Sequence, residues 1–277
     1  MSNRFSFPQL DLTAWQPTRD TLHSYSQLLG KIRRALTPAH EKWWHISLLP
    51  TETGLTTTEI PVSEHDEARF VLSLNLVTHH LVITAPNGDE KKVALQNQSS
   101  QHLMDFALST LAGFGAQPQI DQSLFYGSES RPYTLEHAES YLTALRGIHN
   151  VFETFRVSLP GKTSPLQLWP HHFDLSLEWF SGRKAQASPG EEEGDEQIGF
   201  GFSTGDEGIP EAYFYANPWP FPAEVVETPL PQGASWYTES WRGSLLRYNT
   251  LVESDDSAGR LRAYLNAVYE NASSLMK

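Results

Sequence analysis

The chain has 277 residues, 39% of them hydrophobic and 12% aromatic, with a formal net charge of −13 when histidine is neutral. That length suits one large or two intimate domains with a sizeable core. The charge argues against nucleic acid and anionic membrane surfaces as partners. The lack of cysteine excludes disulfides, thiolate nucleophiles and thiolate zinc sites, so any divalent metal would need His, Asp or Glu.

A cationic ligand, a metal ion or no charged partner at all fits the charge better, and acidity that merely keeps the surface solvated is the plainest reading. The opening MSNRFSFPQLDLTAW carries no secretory or lipidation signal, and no apolar run approaches the ~20 residues that cross a bilayer. A cytoplasmic protein is expected.

In chain order, Leu22, Tyr25, Leu29, Ile32 and Leu36 recur at helical spacing and predict a helix over Thr18–Leu36, stopped by Thr37-Pro38. Strands are predicted at Trp43–Leu49, Leu55–Ile60 and Phe70–Val77. His80–Ala85 and Lys91–Leu95 flank Asn87-Gly88, a hairpin signal. A second helix runs from Ser100 to Phe114. Residues 116–132 read as a connection.

The order then repeats: a helix over Thr134–Phe155, strands near Arg156–Leu159, Leu166–Phe180, Gln197–Ser203, Glu211–Ala216 and Ser235–Trp241, and a helix over Ser257–Leu275. Neighbouring strands favour antiparallel pairing, hence an α+β class of two adjacent helix–strands–helix modules, residues 1–115 and 133–277, separate or forming one unit. Duplication of one module is a hypothesis, since the halves share order and not residue identity. The acidic stretch Ala185–Glu196, with Pro189, Gly190 and Glu191, reads as a solvated mobile loop.

Several motifs are familiar. Gly30-Lys31-Ile32-Arg33 with Ala35-Leu36 and Pro38, then Trp43-Trp44 and Gly54-Leu55-Thr56-Thr57, lie in the first half. Gly161-Lys162 with Ser164-Pro165, Phe173-Asp174-Leu175 and Phe180-Ser181-Gly182-Arg183 lie in the second. On these the chain resembles a bacterial family catalogued as a domain of unknown function. The resemblance implies one family unit over most of the chain and no established activity. Gln167 departs from it, standing where that family often has His, so that any shared role of that His is lost here or moved to His171 or His172.

Functional side chains concentrate between Leu166 and Pro220. Treated as one strand, Trp169–Trp179 puts His172, Asp174, Ser176 and Glu178 on one face and His171, Phe173, Leu175, Leu177 and Trp179 on the other. His172 and Asp174 would lie about 6.6 Å apart, with Glu178 about 20 Å from His172. Glu211, Tyr213 or Tyr215 would supply a third group. A His172–Asp174–Glu211 set with an open position suits a divalent transition metal and a catalytic role. The alternative is a half-exposed sheet face with ordinary cross-strand hydrogen bonds. The neighbours His171-His172 and His79-His80 would point to opposite faces in regular strand and so cannot chelate one ion.

Trp44 and His45 are candidate ligand-binding residues, with a structural histidine the plainer reading of His45. Asp206 and Glu207 sit in a Gly-flanked loop and read first as turn residues. Tyr213, Tyr215 and Trp219, with Phe221, Trp236 and Trp241, would wall an aromatic pocket for a small organic or cationic ligand, or fill the core. Arg242 would anchor a ligand carboxylate or form an internal ion pair. No nucleophile elbow, dinucleotide fingerprint or phosphate loop is present. The sequence therefore supports a small-molecule-binding protein with an aromatic and acidic cleft in its C-terminal half. A metal-dependent, hydrolase-like enzyme using His172 and Asp174, and a protein-interaction module, are the alternatives.

Overall fold

The computed structural model describes residues 7–64, 66–186 and 192–276. The first stretch of the chain supplies α1 (Leu12–Leu36), β1 (Leu49–Thr51), β2 (Gly54–Thr56), β3 (Ile60–Pro61), β4 (Arg69–Asn75), β5 (His80–Thr84), β6 (Glu90–Ala94), α2 (Ser100–Ala112) and α3 (Leu135–Ser158). Then come β7 (Lys162–Thr163), β8 (Gln167–Trp169), β9 (Asp174–Ala185), β10 (Gly194–Ser203), β11 (Tyr213–Trp219), β12 (Ala234–Tyr237), β13 (Gly243–Arg247), α4 (Tyr248–Val252) and α5 (Ser257–Leu275). The fold is α+β with two antiparallel sheets.

The chain divides into two compact units. One comprises residues 13–142 and 167–173; the other comprises the chain up to Leu12, Thr143–Leu166 and the chain from Asp174 onward. The division therefore falls inside α3 rather than at residues 116–132, and a seven-residue excursion returns to the first unit. Different strand numbers and orders in the two sheets leave the duplication unconfirmed.

In the first unit the sheet runs β1–β2–β4–β5–β6, with β3 on β4. Alternation buries Phe70, Leu72 and Leu74 of β4 with Leu81 and Ile83 of β5 on one face, in a register that sets Leu72 against Ile83. Helix α2 packs on β5 and β6 with Leu103, Ala107 and Leu111 buried. The Asn87-Gly88 turn closes the β5–β6 hairpin, with Gly88 at φ 87°, a conformation that favours glycine. The excursion is tied in by β8, where Leu48 and Leu168 exchange backbone hydrogen bonds of 2.8 and 2.7 Å.

In the second unit the sheet runs β12–β13–β11–β10–β9–β7. Register aligns Leu177, Phe200 and Ala216, and next to them Leu175, Phe202 and Phe214, all buried on one face. Helices α3 and α5 seal that face. Phe155 meets Phe200 edge-on at 4.9 Å, Tyr269 meets Trp179 at 5.1 Å, and Tyr264 hydrogen-bonds Ser244 at 2.8 Å.

Several expected elements are displaced. Helix α1 begins at Leu12 and carries Pro17 inside it, where the sequence pattern started at Thr18. Trp43–Leu49 is not a strand: Trp43 takes a left-handed conformation, φ 61°, and Trp44–Ile46 form a 3-10 turn. Arg156–Leu159 is the end of α3 and not a strand, because the helical pattern continues past Phe155. The single strand Leu166–Phe180 is broken at residues 170–173, where Phe173 has φ 58° and its N–H donates to the Trp169 carbonyl at 2.8 Å. Strand β13 and helix α4 were not foreseen. Pro189, Gly190 and Glu191 of the acidic loop lie outside the described residues.

Phe155 is 1% exposed and its ring partner Phe200 is fully buried. Phe155→Ala is expected to cost about 3–5 kcal/mol, read as a lower chemical-denaturation midpoint in the transition that reports the second unit; a change under about 1 kcal/mol would show that α3 does not seal this sheet.

Candidate functional site

With one face of the second sheet sealed by helices, alternation drives the polar side chains of β9–β11 to the other. Ser176, Gly201, Tyr215, Leu245 and Ser235 align across the strands, flanked by the row of Glu178, Gly199 and Asn217. Gly201 makes room for Tyr215: a Cβ there would lie 2.1 Å from the tyrosine Cζ. The ring therefore crosses β10, and its hydroxyl donates to Asp174 Oδ2 at 2.5 Å. Burial, then the charge and hydrogen bond of Asp174, hold the Tyr215 phenol well above its ordinary pKa. It stays a protonated donor at neutral pH. Ser176 donates to Glu178 Oε1 at 3.2 Å, and Ser164 Oγ accepts from the Glu178 backbone at 2.8 Å.

Next to this row, Asp206 closes the loop into β11. Its Oδ1 accepts from the Gly208 and Ile209 backbones at 2.8 and 2.9 Å, and its Oδ2 accepts from the Tyr213 hydroxyl at 2.7 Å. Burial, then Asp206, raises the Tyr213 pKa. Ile209, Tyr213 and Leu245 form a small apolar cluster against which Tyr215, Tyr237 and Trp241 pack. Over it opens a pocket of about 350 Å³ with Ile209, Trp236, Tyr237, Glu239 and Arg247 in its wall. Trp236 Nε1 donates to the Thr228 carbonyl at 3.0 Å, and Tyr237 and Trp241 stack with ring centres 4.6 Å apart.

The structure separates most of the sequence-derived site. His172 lies in the turn after β8, exposed, and belongs to the first unit, whereas Asp174 opens β9 of the second. The premise of one continuous strand carrying both on one face is therefore not met: residues 170–173 turn between them. Glu211 precedes β11 and is ion-paired with Arg247. Among the described residues no group of three His, Asp or Glu side chains is placed to hold a metal ion.

Tyr213 and Tyr215 do share a face, as expected. Trp219 lies against Gly194, where a Cβ would come within 2.6 Å of its ring. Arg242 is exposed, and its carbonyl accepts from Asn217 Nδ2 at 3.3 Å; the arginine in the pocket is Arg247, which the sequence reading missed. The missed signal was the short run Gly243-Ser244-Leu245-Leu246, an apolar strand ending in that arginine.

Trp44 and His45 lie in the first unit. His40 stacks on Trp44 with centres 4.6 Å apart, and Trp43 stacks on His45 at 5.4 Å. His45 is 7% exposed and its Nδ1 accepts from the His40 backbone at 3.1 Å, which assigns the proton of the neutral ring to Nε2. Burial, then the charges of Arg33, Arg34 and His40, lowers its pKa.

A family model described as a family of unknown function, DUF5996, matches residues 7–277. No curated protein and no solved structure matches the chain.

Tyr215→Phe removes a donor from a charged acceptor and is expected to cost about 1.5–3 kcal/mol; an unchanged unfolding midpoint would mean that Asp174 is equally well held without it. The lowered His45 pKa means that the folded chain binds this proton less readily than the unfolded one. Its contribution to stability is complete above about pH 6.5 and is lost as pH falls. His45→Gln should flatten the fall in melting temperature between about pH 6.5 and 5, and an identical slope in both proteins would remove His45 as the source.

Proposed function

The chain belongs to the DUF5996 family, and on that premise we propose that it binds a small organic molecule bearing a cationic group in the pocket of the second unit. The observation that carries this reading is the pocket of about 350 Å³ with Tyr237 in its wall, packed against Trp241, and Glu239 at its rim. That volume is at the lower end of small-molecule sites. Aromatic faces attract a cation, and a carboxylate beside them adds Coulomb attraction. Arg247 is neutralised by Glu211, whereas among the described residues Glu239 forms no ion pair, so the local balance is negative. The bonds of Asp206 to Tyr213 and to the Gly208 and Ile209 backbones fix the loop wall before any ligand arrives, which lowers the ordering cost of binding.

The reading is one of binding without catalysis. Tyr215 and Asp174 hold each other, and the raised phenol pKa leaves Tyr215 without a base form at neutral pH. The proposal places the protein in the cytoplasm, since a cysteine-free fold draws nothing from an oxidising compartment.

Thermal-shift and calorimetric titrations with benzylammonium and tetramethylammonium test it. Saturable binding that weakens about tenfold in Glu239→Gln and in Tyr237→Ala is expected. Absence of binding into the millimolar range, or affinity indifferent to both substitutions, would overturn the reading.

A further inference from the structure

A second concavity, of about 210 Å³, lies in the first unit along the C-terminal half of α1. Its apolar surface comes from Ile46, Leu124 and Pro170, and its polar rim from Lys31, Arg34 and His171. In a chain of net charge −13, this rim is cationic. We propose that it is a binding site for a small anion, a phosphate or carboxylate carried on a short planar body, distinct from the pocket of the second unit and independent of it.

Three features converge. The first is charge. Lys31 reaches one carboxylate, Asp121, at 3.7 Å, and that carboxylate side chain is 64% exposed. Among the described residues Arg34 forms no ion pair. Arg33, on the same helix, is 5% exposed, and its guanidinium is held by Ser47 and by Thr58 Oγ1 at 2.8 Å, with no carboxylate partner among the described residues. Three positive charges within about one turn of α1 thus meet one solvated negative group, and Arg33 and Arg34, after burial, contribute to lowering the His45 pKa. Guanidinium beside ammonium is the donor set that phosphate and carboxylate oxygens require.

The second is the way the wall is built. Pro170 seats on α1 at Gly30, where a Cβ would lie 2.8 Å from the proline Cγ. His23 Nε2 lies 3.2 Å from the His171 carbonyl, and the His23 ring stacks on Phe173 at 5.6 Å. The turn carrying His171 is therefore anchored by its backbone on the helix that supplies Lys31 and Arg34.

The third is Trp43. This residue is 52% exposed and has φ 61°, a conformation costly for a bulky side chain and one that surroundings must impose. Arg34 Cζ lies 5.2 Å from its ring centre and His45 stacks on it. Arg34 thus belongs both to the pocket rim and to this exposed aromatic platform, which offers the planar part of a ligand a surface next to the charge that fixes its anionic part.

Phenyl phosphate and inorganic phosphate, titrated calorimetrically into the full chain at low ionic strength, test the proposal. Saturable one-to-one binding of phenyl phosphate is expected, tighter than that of inorganic phosphate. It should weaken about tenfold or more in Lys31→Gln/Arg34→Gln and be unchanged in Glu239→Gln. A measurement needing no substitution accompanies it: salt at about 1 M, where the Debye length is about 3 Å, should abolish most of the binding by the native chain. No saturable phenyl phosphate binding into the millimolar range overturns the site. So does binding that the double substitution leaves intact, or binding that high salt leaves intact.

Discussion

Helices α3 and α5 close one face of the second sheet with aromatic side chains, Phe155 on Phe200 and Tyr269 on Trp179. Strict strand alternation then leaves no freedom on the other face. Each apolar residue committed to the helices sends its neighbour the opposite way, so Asp174, Ser176 and Glu178 of β9, and Tyr213 and Tyr215 of β11, must all emerge together. Carboxylates and phenols brought into half-buried surroundings are tolerable only when hydrogen-bonded. The Tyr215–Asp174 and Tyr213–Asp206 bonds supply that, and Gly201 supplies the space. The pocket with Tyr237 in its wall sits at the end of this polar face, where the loop held by Asp206 stands over the apolar cluster of Ile209 and Leu245.

The motif residues fall where the backbone departs from regular geometry. Trp43 and Phe173 have positive φ, as do Gly161 and Gly182. Ser164 bridges to the β9 backbone at Glu178 through Oγ and N–H, each at 2.8 Å. Arg183, after Gly182, is bonded to Glu196, which is 3% exposed, and to the Met276 carbonyl at 3.0 Å. These residues set register and strand ends.

Net charge and local field point in opposite directions in this chain. A balance of −13 is read most plainly as surface solvation, with a cationic ligand or metal as a further expectation. Lys31 and Arg34, with the buried Arg33 between them, make one side of α1 positive, which an average over the whole chain conceals. Among the described residues no helix is long and apolar enough to cross a membrane.

Periodicity alone located the four long helices, with α5 found at Ser257–Leu275 and α2 within two residues of its end, because a one-sided apolar stripe at 3.6-residue spacing depends only on nearest turns. Alternation likewise determined β4, β5 and the shared face of Tyr213 and Tyr215, since period two is a local property of extended backbone. What the tertiary structure decided were the breaks: the turn at residues 170–173 that parts His172 from Asp174, the left-handed Trp43, and the assignment of residues 167–173 to the first unit. A left-handed residue that is not glycine leaves no compositional mark, because only packing around it makes the conformation affordable. The partners of Glu211, Asp174 and Arg33 were decided in the same way, since which charges meet depends on strand order and helix placement, and neither is written in the spacing of residues along the chain.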